Sequence, residues 1–188
     1  MANYTRSRRP GGTYFFTART AQRGSHLLVD EVAVLRHVMR QTRARFPFEI
    51  DEIVVLGDVI HTLWTLPEDD SEYSKRWRML KTLFSRACPA PAPRDSLRLR
   101  PGEKGIWQRR FWEHAIRDAD DLKAHRQMIY AAPVQAGLVR RPMDWPHSSI
   151  HRAIARGTYD PCTPVGVAYD PRQGRTTRAP YSQRPSVA

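Results

Sequence analysis

The stretch VVLGDVIHTLW, Val54 to Trp64, carries one histidine, His61, inside a β-branched apolar run. On a strand, two imidazoles separated by one residue point to the same face and can share one divalent metal ion. Here the position two before His61 is Val59. His61 is therefore either half of a metal site whose other half is missing or a histidine packed in a sheet. One neutral imidazole does not hold Mg2+ by itself, because that ion prefers several oxygen ligands in an octahedron. Asp58 can add an oxygen only if it shares that face, and alternation sends it to the other face or into the turn.

Two further segments carry residue types suited to chemistry. In GIWQRRFWEH, Gly105 to His114, indole and phenyl faces can stack on unpaired bases while Arg109 and Arg110 hold flanking phosphates. The competing reading packs Trp107, Phe111 and Trp112 in the core. Strand alternation sends Phe111 and Trp112 to opposite faces, so at least one packs inward. In DLKAHRQMIYAAPVQAGLV, Asp121 to Val139, the phenol of Tyr130 is a candidate nucleophile for a covalent phosphotyrosine. The alternative is a helix-end tyrosine with its ring packed and its hydroxyl in water. His114 and His125 are acid-base candidates by type, and equally ordinary surface or capping histidines.

The elements that must position these residues follow from periodicity. Alternation in TYFFTART predicts a strand over Thr13–Thr20. Leu28, Val32, Leu35, Val38 and Met39 recur at helical spacing, which predicts a helix over Ser25–Phe46. PFEIDEIVVLGD and IHTLWTL read as two strands joined by a tight Gly57-Asp58 turn. Ser71–Arg86 reads as a second amphipathic helix, with Trp77, Leu80 and Phe84 on one face. A strand ends near Ile116, and a third helix runs from Asp118 to about Tyr130, with Pro133 ending it. The order is that of an α+β fold with helices on an antiparallel sheet.

Three parts of the chain are expected: a flexible basic arm over 1–12, one domain over 13–160 and a disordered basic tail over 161–188. From Pro171 the tail has Arg172, Arg175, Arg178 and Arg184 and no acids. CPAPAPRDS, from Cys88, reads as a surface loop. Lys and Arg number 31 against 19 Asp and Glu, for a formal charge of +12, and nearly all the cations are Arg. Guanidinium forks bridge phosphate oxygens and stack on bases, so nucleic acid is the expected partner. Cys88 and Cys162 have no CxxC spacing, so neither a zinc site nor a disulfide framework is expected. No apolar run approaches the ~20 residues of a membrane span. The start lacks the apolar core of a signal peptide, and a cytoplasmic location is expected.

PGGTYFFT, VVLGDVIHTLWTLPEDD, RWRMLKTLFSR, GIWQRRFWEHAIRD and PVQAGLVRRPMDWPHSSIHR occur in the order and spacing of REP-associated tyrosine transposases. Over Tyr4 to Tyr159 the sequence resembles that group of single-strand-DNA (HUH, Y1) transposases. The resemblance implies a ferredoxin-like α+β fold and binding to hairpins of repetitive extragenic palindromes beside a short unpaired tetranucleotide. It also implies a His-hydrophobic-His pair that binds Mg2+ or Mn2+ and polarises the scissile phosphate. A helix tyrosine then attacks to give a 5′-phosphotyrosine link, and an Asn or Gln one turn later completes the metal shell.

Carried onto this sequence, the metal histidines fall on Val59 and His61, the nucleophilic tyrosine on Met128 and the Asn ligand on Ala132. Only His61 retains a functional side chain. The resemblance thus implies a DNA-binding protein in the nucleoid, monomeric, with nicking and rejoining lost or very weak and no productive metal. Its expected DNA contacts are Arg6, Arg8, Arg9, Trp107, Arg109, Arg110, Trp112 and His114, while Arg36, Arg40 and Arg43 read as a solvated helix face. Two alternatives stand beside it. One is an active enzyme using Tyr130, although a two-residue shift turns a helical side chain by about 200°. The other is an RNA-binding module, which needs Trp107, Phe111 or Tyr14 on an open sheet face.

Overall fold

Alternation in TYFFTAR puts Tyr14, Phe16 and Ala18 on one face of strand β1 (Thr13–Arg19) and Phe15, Thr17 and Arg19 on the other. The computed structural model describes residues 8–89 and 104–160, and the backbone of 168–170 and 175–177. Within it, β1 pairs antiparallel with β3 (Val59–Thr65) on one side and β4 (Trp112–Ala115) on the other. β2 (Glu49–Val55) flanks β3, giving the order β2-β3-β1-β4. The Gly57-Asp58 connection between β2 and β3 is closed by the Leu56 N–H donating to the Val59 carbonyl at 2.9 Å.

Helices α1 (Leu27–Asp30) and α2 (Val32–Arg45) follow β1, and α3 (Tyr73–Ala87) follows β3. α2 and α3 pack side by side and close one core with the Tyr14 face of the sheet. Trp64 and Trp77 stack at 4.5 Å between ring centroids, and Phe48 tilts onto Trp64 at 4.3 Å. Such pairs add ~0.5–1.5 kcal/mol each beyond the area they bury. The expected α+β, ferredoxin-like arrangement is the one observed.

Tyr14, Phe111 and Trp107 belong to this helix-covered side, Tyr14 as core and the other two packed against it. That placement counts against an RNA-binding module built on these three rings. Phe111 and Trp112 do go to opposite sides: Phe111 stacks on Trp77 at 5.5 Å, and Trp112 meets Phe15 edge-on at 5.7 Å.

Three local expectations are corrected. The helix expected over Ser25–Phe46 breaks at Glu31 into α1 and α2, and its first turn is tied to the β2–β3 turn: the Leu28 N–H donates to the Gly57 carbonyl at 3.0 Å. From Arg8 onward the described part of the basic arm forms a hydrogen-bonded turn. The Gly12 N–H donates to the Arg9 carbonyl and the Gly11 N–H to the Pro67 carbonyl, both at 3.0 Å. The Tyr14 hydroxyl also donates to the Arg9 carbonyl at 3.0 Å while accepting from the Arg9 N–H.

The third correction concerns the end of the third helix. The chain divides into two compact units, Met1–Arg117 and Asp118–Ala188. The second begins with α4 (Ala119–Gln135), capped by Asp118 Oδ1, which accepts the Asp121 N–H at 2.8 Å. Pro133 lies inside α4 instead of ending it. The helix stops at Gly137, whose φ of +69° suits a residue without a Cβ. There the Leu138 N–H reaches back to the Pro133 carbonyl at 3.0 Å and the Gly137 N–H to the Val134 carbonyl at 2.9 Å. A 3-10 turn (Pro142–Asp144) and α5 (Ile150–Ala155) follow, neither signalled by periodicity. In the segment expected as a tail, β5 (Ala168–Asp170) pairs antiparallel with β6 (Arg175–Thr177).

Candidate functional site

His61 sits at the centre of β3, opposite Thr17 in the β1–β3 register, on the sheet face away from α2 and α3. Thr17 Oγ1 and His61 Nδ1 are 2.9 Å apart, and the Phe15 ring stacks on the imidazole at 5.9 Å. Arg19 lies opposite Val59 and shares this face. Burial, and then the positive charge of Arg19, push the His61 pKa down to about 3. The ring is therefore neutral at physiological pH, and Thr17 occupies Nδ1, which leaves Nε2 as the ring's second polar atom. Val59 is 3% exposed and brings only methyl groups. Asp58 is in the turn, where its Oδ2 accepts the Gly24 N–H at 3.0 Å. Neither Thr17 nor Arg19 was found by sequence reasoning, because the β1–β3 register that brings them beside His61 and Val59 is not written in either strand alone.

The basic-aromatic segment divides by face and exposure. Arg109 and Arg110 are exposed. Trp112 and His114 alternate onto the His61 side of β4, half-buried, with their rings stacked at 5.9 Å. Trp107 instead packs edge-on against Phe84 at 5.3 Å with the Lys81 ammonium 5.7 Å from its ring. Arg8 pairs with Glu72 at 2.7 Å, Arg9 is exposed, and Arg6 lies outside the described residues.

In the second unit, α4 is buried in an unbroken run from Met128 to Pro133. A helix apolar on every side is an interior helix. Met128, Tyr130 and Ala132 are 5%, 5% and 7% exposed. The Tyr130 ring meets Tyr159 edge-on at 5.0 Å, so it is packed as an aromatic. His125 is fully buried, neither a surface nor a capping histidine. Its Nδ1–H donates to the Asp121 carbonyl at 2.8 Å, with Asp121 Oδ1 3.2 Å away. A carbonyl only accepts, so this bond fixes the proton on Nδ1.

No family model matches the sequence. The REP-associated tyrosine transposase of Escherichia coli (strain K12) is 43% identical over 159 residues, 85% of this chain and 88% of that protein. The chain belongs to the REP-associated tyrosine transposase family. A solved REP-associated tyrosine transposase bound to a REP hairpin is 40% identical, with a TM-score of 0.76 and full coverage of both chains. Likeness over the whole length means that this transposase-family chain keeps the scaffold while His61 stands in β3 with Val59, not a second imidazole, two positions before it. Among the described residues, no helix is long and apolar enough to cross a membrane.

Proposed function

We propose that this transposase-family chain binds REP-type hairpin DNA and its adjoining single strand without cutting it. The observation that carries the reading is the chemistry at the four positions onto which the family's working residues fall. Val59, Met128 and Ala132 offer no metal donor of the family's kind and no hydroxyl, and His61 offers one nitrogen. That set does not fit a Mg2+ or Mn2+ ion, which needs several oxygen or nitrogen ligands. A thioether at Met128 cannot form a phosphotyrosine link, and no small motion of the chain converts it into a nucleophile. Tyr130 is a poor substitute, since its ring is packed on Tyr159.

Binding draws on different groups. Phosphate contacts and base stacking supply most of the affinity for single strands. Arg9, Arg109 and Arg110 are exposed cations suited to backbone contacts, and Trp112 with His114 forms a stacked pair on the His61 side of the sheet. In the sequence Arg6 and Arg8 extend the cationic set toward the N-terminus, with Arg8 paired to Glu72, while Trp107 packs against Phe84. A protein with these contacts works where REP hairpins are, on chromosomal DNA in the cytoplasm. His61, neutral and bonded to Thr17, serves here as a hydrogen-bonding group for DNA and not as a metal ligand.

The binding half of this reading is tested by fluorescence anisotropy with a REP hairpin carrying its unpaired tetranucleotide. Scrambling the tetranucleotide should weaken binding at least tenfold. Equal affinity for the scrambled and the intact hairpin overturns specific recognition.

A further inference from the structure

The sheet face opposite His61 is covered by α2 and α3, and these two adjacent helices contain not one Asp or Glu. The sequence alone showed Arg36, Arg40 and Arg43 as one stripe on a helix. The fold brings a second stripe beside it, Lys75, Arg78 and Arg86 on α3, and all six side chains are exposed. Arg43 spends its Nε on the Phe48 carbonyl at 3.0 Å. Arg36, Arg40, Arg78 and Arg86 have no side-chain partner among the described residues.

A solvated helix face ordinarily mixes signs, with acids and bases placed to pair at i,i+4. Here Arg36–Arg40 is a like-charge pair at that spacing, which disfavours a helix. Two neighbouring helices that carry exposed cations and no acid of their own are complementary to a polyanion. The aromatic residues decide which kind. Binding single strands without sequence preference needs exposed rings on which bases stack. On α2 and α3, Tyr73, Trp77 and Phe84 are at most 1% exposed, so this face presents cations without stacking surface. It can hold phosphates only, and phosphates without accessible bases are what the outside of a duplex offers.

We infer that the α2/α3 face is a second DNA-binding surface, separate from the His61 side of the sheet, which holds the phosphate backbone of double-stranded DNA without reading its sequence. At 1.5 Å per residue, the stripe from Arg36 to Arg43 is ~10 Å long, the reach of about three phosphates along one strand of B-form DNA. Packed helices lie ~8–10 Å apart, so the two stripes can meet both strands of one duplex. The surface rests on the family's association with DNA but not on hairpin recognition.

The test uses the full chain and a labelled 20-base-pair duplex that carries no REP sequence, titrated from 50 to 300 mM salt. R36E/R40E and R78E/R86E should each weaken binding at least tenfold at 100 mM salt. Each should also flatten the plot of log K against log salt by about 2, since each phosphate left without its cation takes ~0.9 off the slope. The milder R36Q/R40Q should fall in between, with an unchanged melting temperature that excludes unfolding. Unchanged affinity and slope in both reversals overturn the proposal. An equal loss in R140E/R156E, the same charge change on exposed residues of α4's unit, overturns it too, since net charge alone would then account for the effect. Because the duplex has no tetranucleotide, failure here leaves hairpin recognition standing, and failure of hairpin recognition leaves this face standing.

Discussion

At the scale of single residues, His61 and Gly57 have the most specific physical roles. His61 has a folded pKa of about 3 against 6.5 for an unperturbed imidazole, because burial and then Arg19 disfavour its charged form. Its native state resists protonation, so the unfolded chain binds more protons between those two values. Stability therefore rises with pH across that window, is complete above pH 6.5 and falls as pH drops toward 3. His61→Asn keeps the bond to Thr17 but cannot titrate, so its melting temperature should fall less steeply than that of the wild type between pH 6.5 and 4. Parallel pH profiles would contradict the burial assigned to this imidazole. Gly57 acts by shape: a Cβ there would lie 2.5 Å from the Ser25 carbonyl oxygen and 3.2 Å from the His26 Cα. Gly57→Ala should cost about 1–3 kcal/mol, as forced overpacking does, read from the urea midpoint. A midpoint unchanged from the wild type would contradict the close approach of α1 to the turn.

At the scale of elements, the strands were legible and the ends of helices were not. Alternation in TYFFTAR and the apolar runs on either side of Gly57-Asp58 mark β1, β2 and β3, because each strand has at least one face that must be buried. Neither the break at Glu31 nor the hydrogen bond from Leu28 to Gly57 is encoded by a local pattern. The end of α4 was misread because Pro133 is a louder signal than Gly137. A proline removes one hydrogen bond near a helix end, whereas a left-handed glycine with two reversed bonds terminates the helix. Gly137→Ala should lower stability by about 1 kcal/mol, measured by denaturant melting, while leaving the helical content intact. A neutral result would contradict the left-handed conformation assigned to Gly137. The candidate site was half legible by the same logic. The absence of a second histidine beside His61 can be read from VVLGDVIH, while Thr17, its hydrogen-bond partner, becomes visible only once β1 is set against β3.

At the scale of the molecule, the chain keeps the family scaffold, and on the proposed reading apolar groups stand where the family's chemistry falls. Val59 and Met128 are side chains that an interior accepts without strain, which is why their presence is compatible with an intact fold. On that reading the formal charge of +12 would still attract a polyanion such as DNA at long range, whether or not a phosphate can be attacked. If Val59, Met128 and Ala132 account for the proposed silence, introducing the family's residues together should matter more than introducing any one. V59H/M128Y/A132N should form a Mn2+-dependent covalent adduct with hairpin DNA, and V59H alone should not. An adduct from V59H alone would mean that another residue serves as nucleophile. The most direct test of the central claim uses the wild-type chain with end-labelled REP hairpin and Mn2+, resolved in parallel on native and denaturing gels. A shifted band on the native gel, with neither cleaved strand nor adduct on the denaturing one, is the expected result. A protein–DNA adduct that survives denaturation would contradict the account, and its loss in Tyr130→Phe would identify the nucleophile.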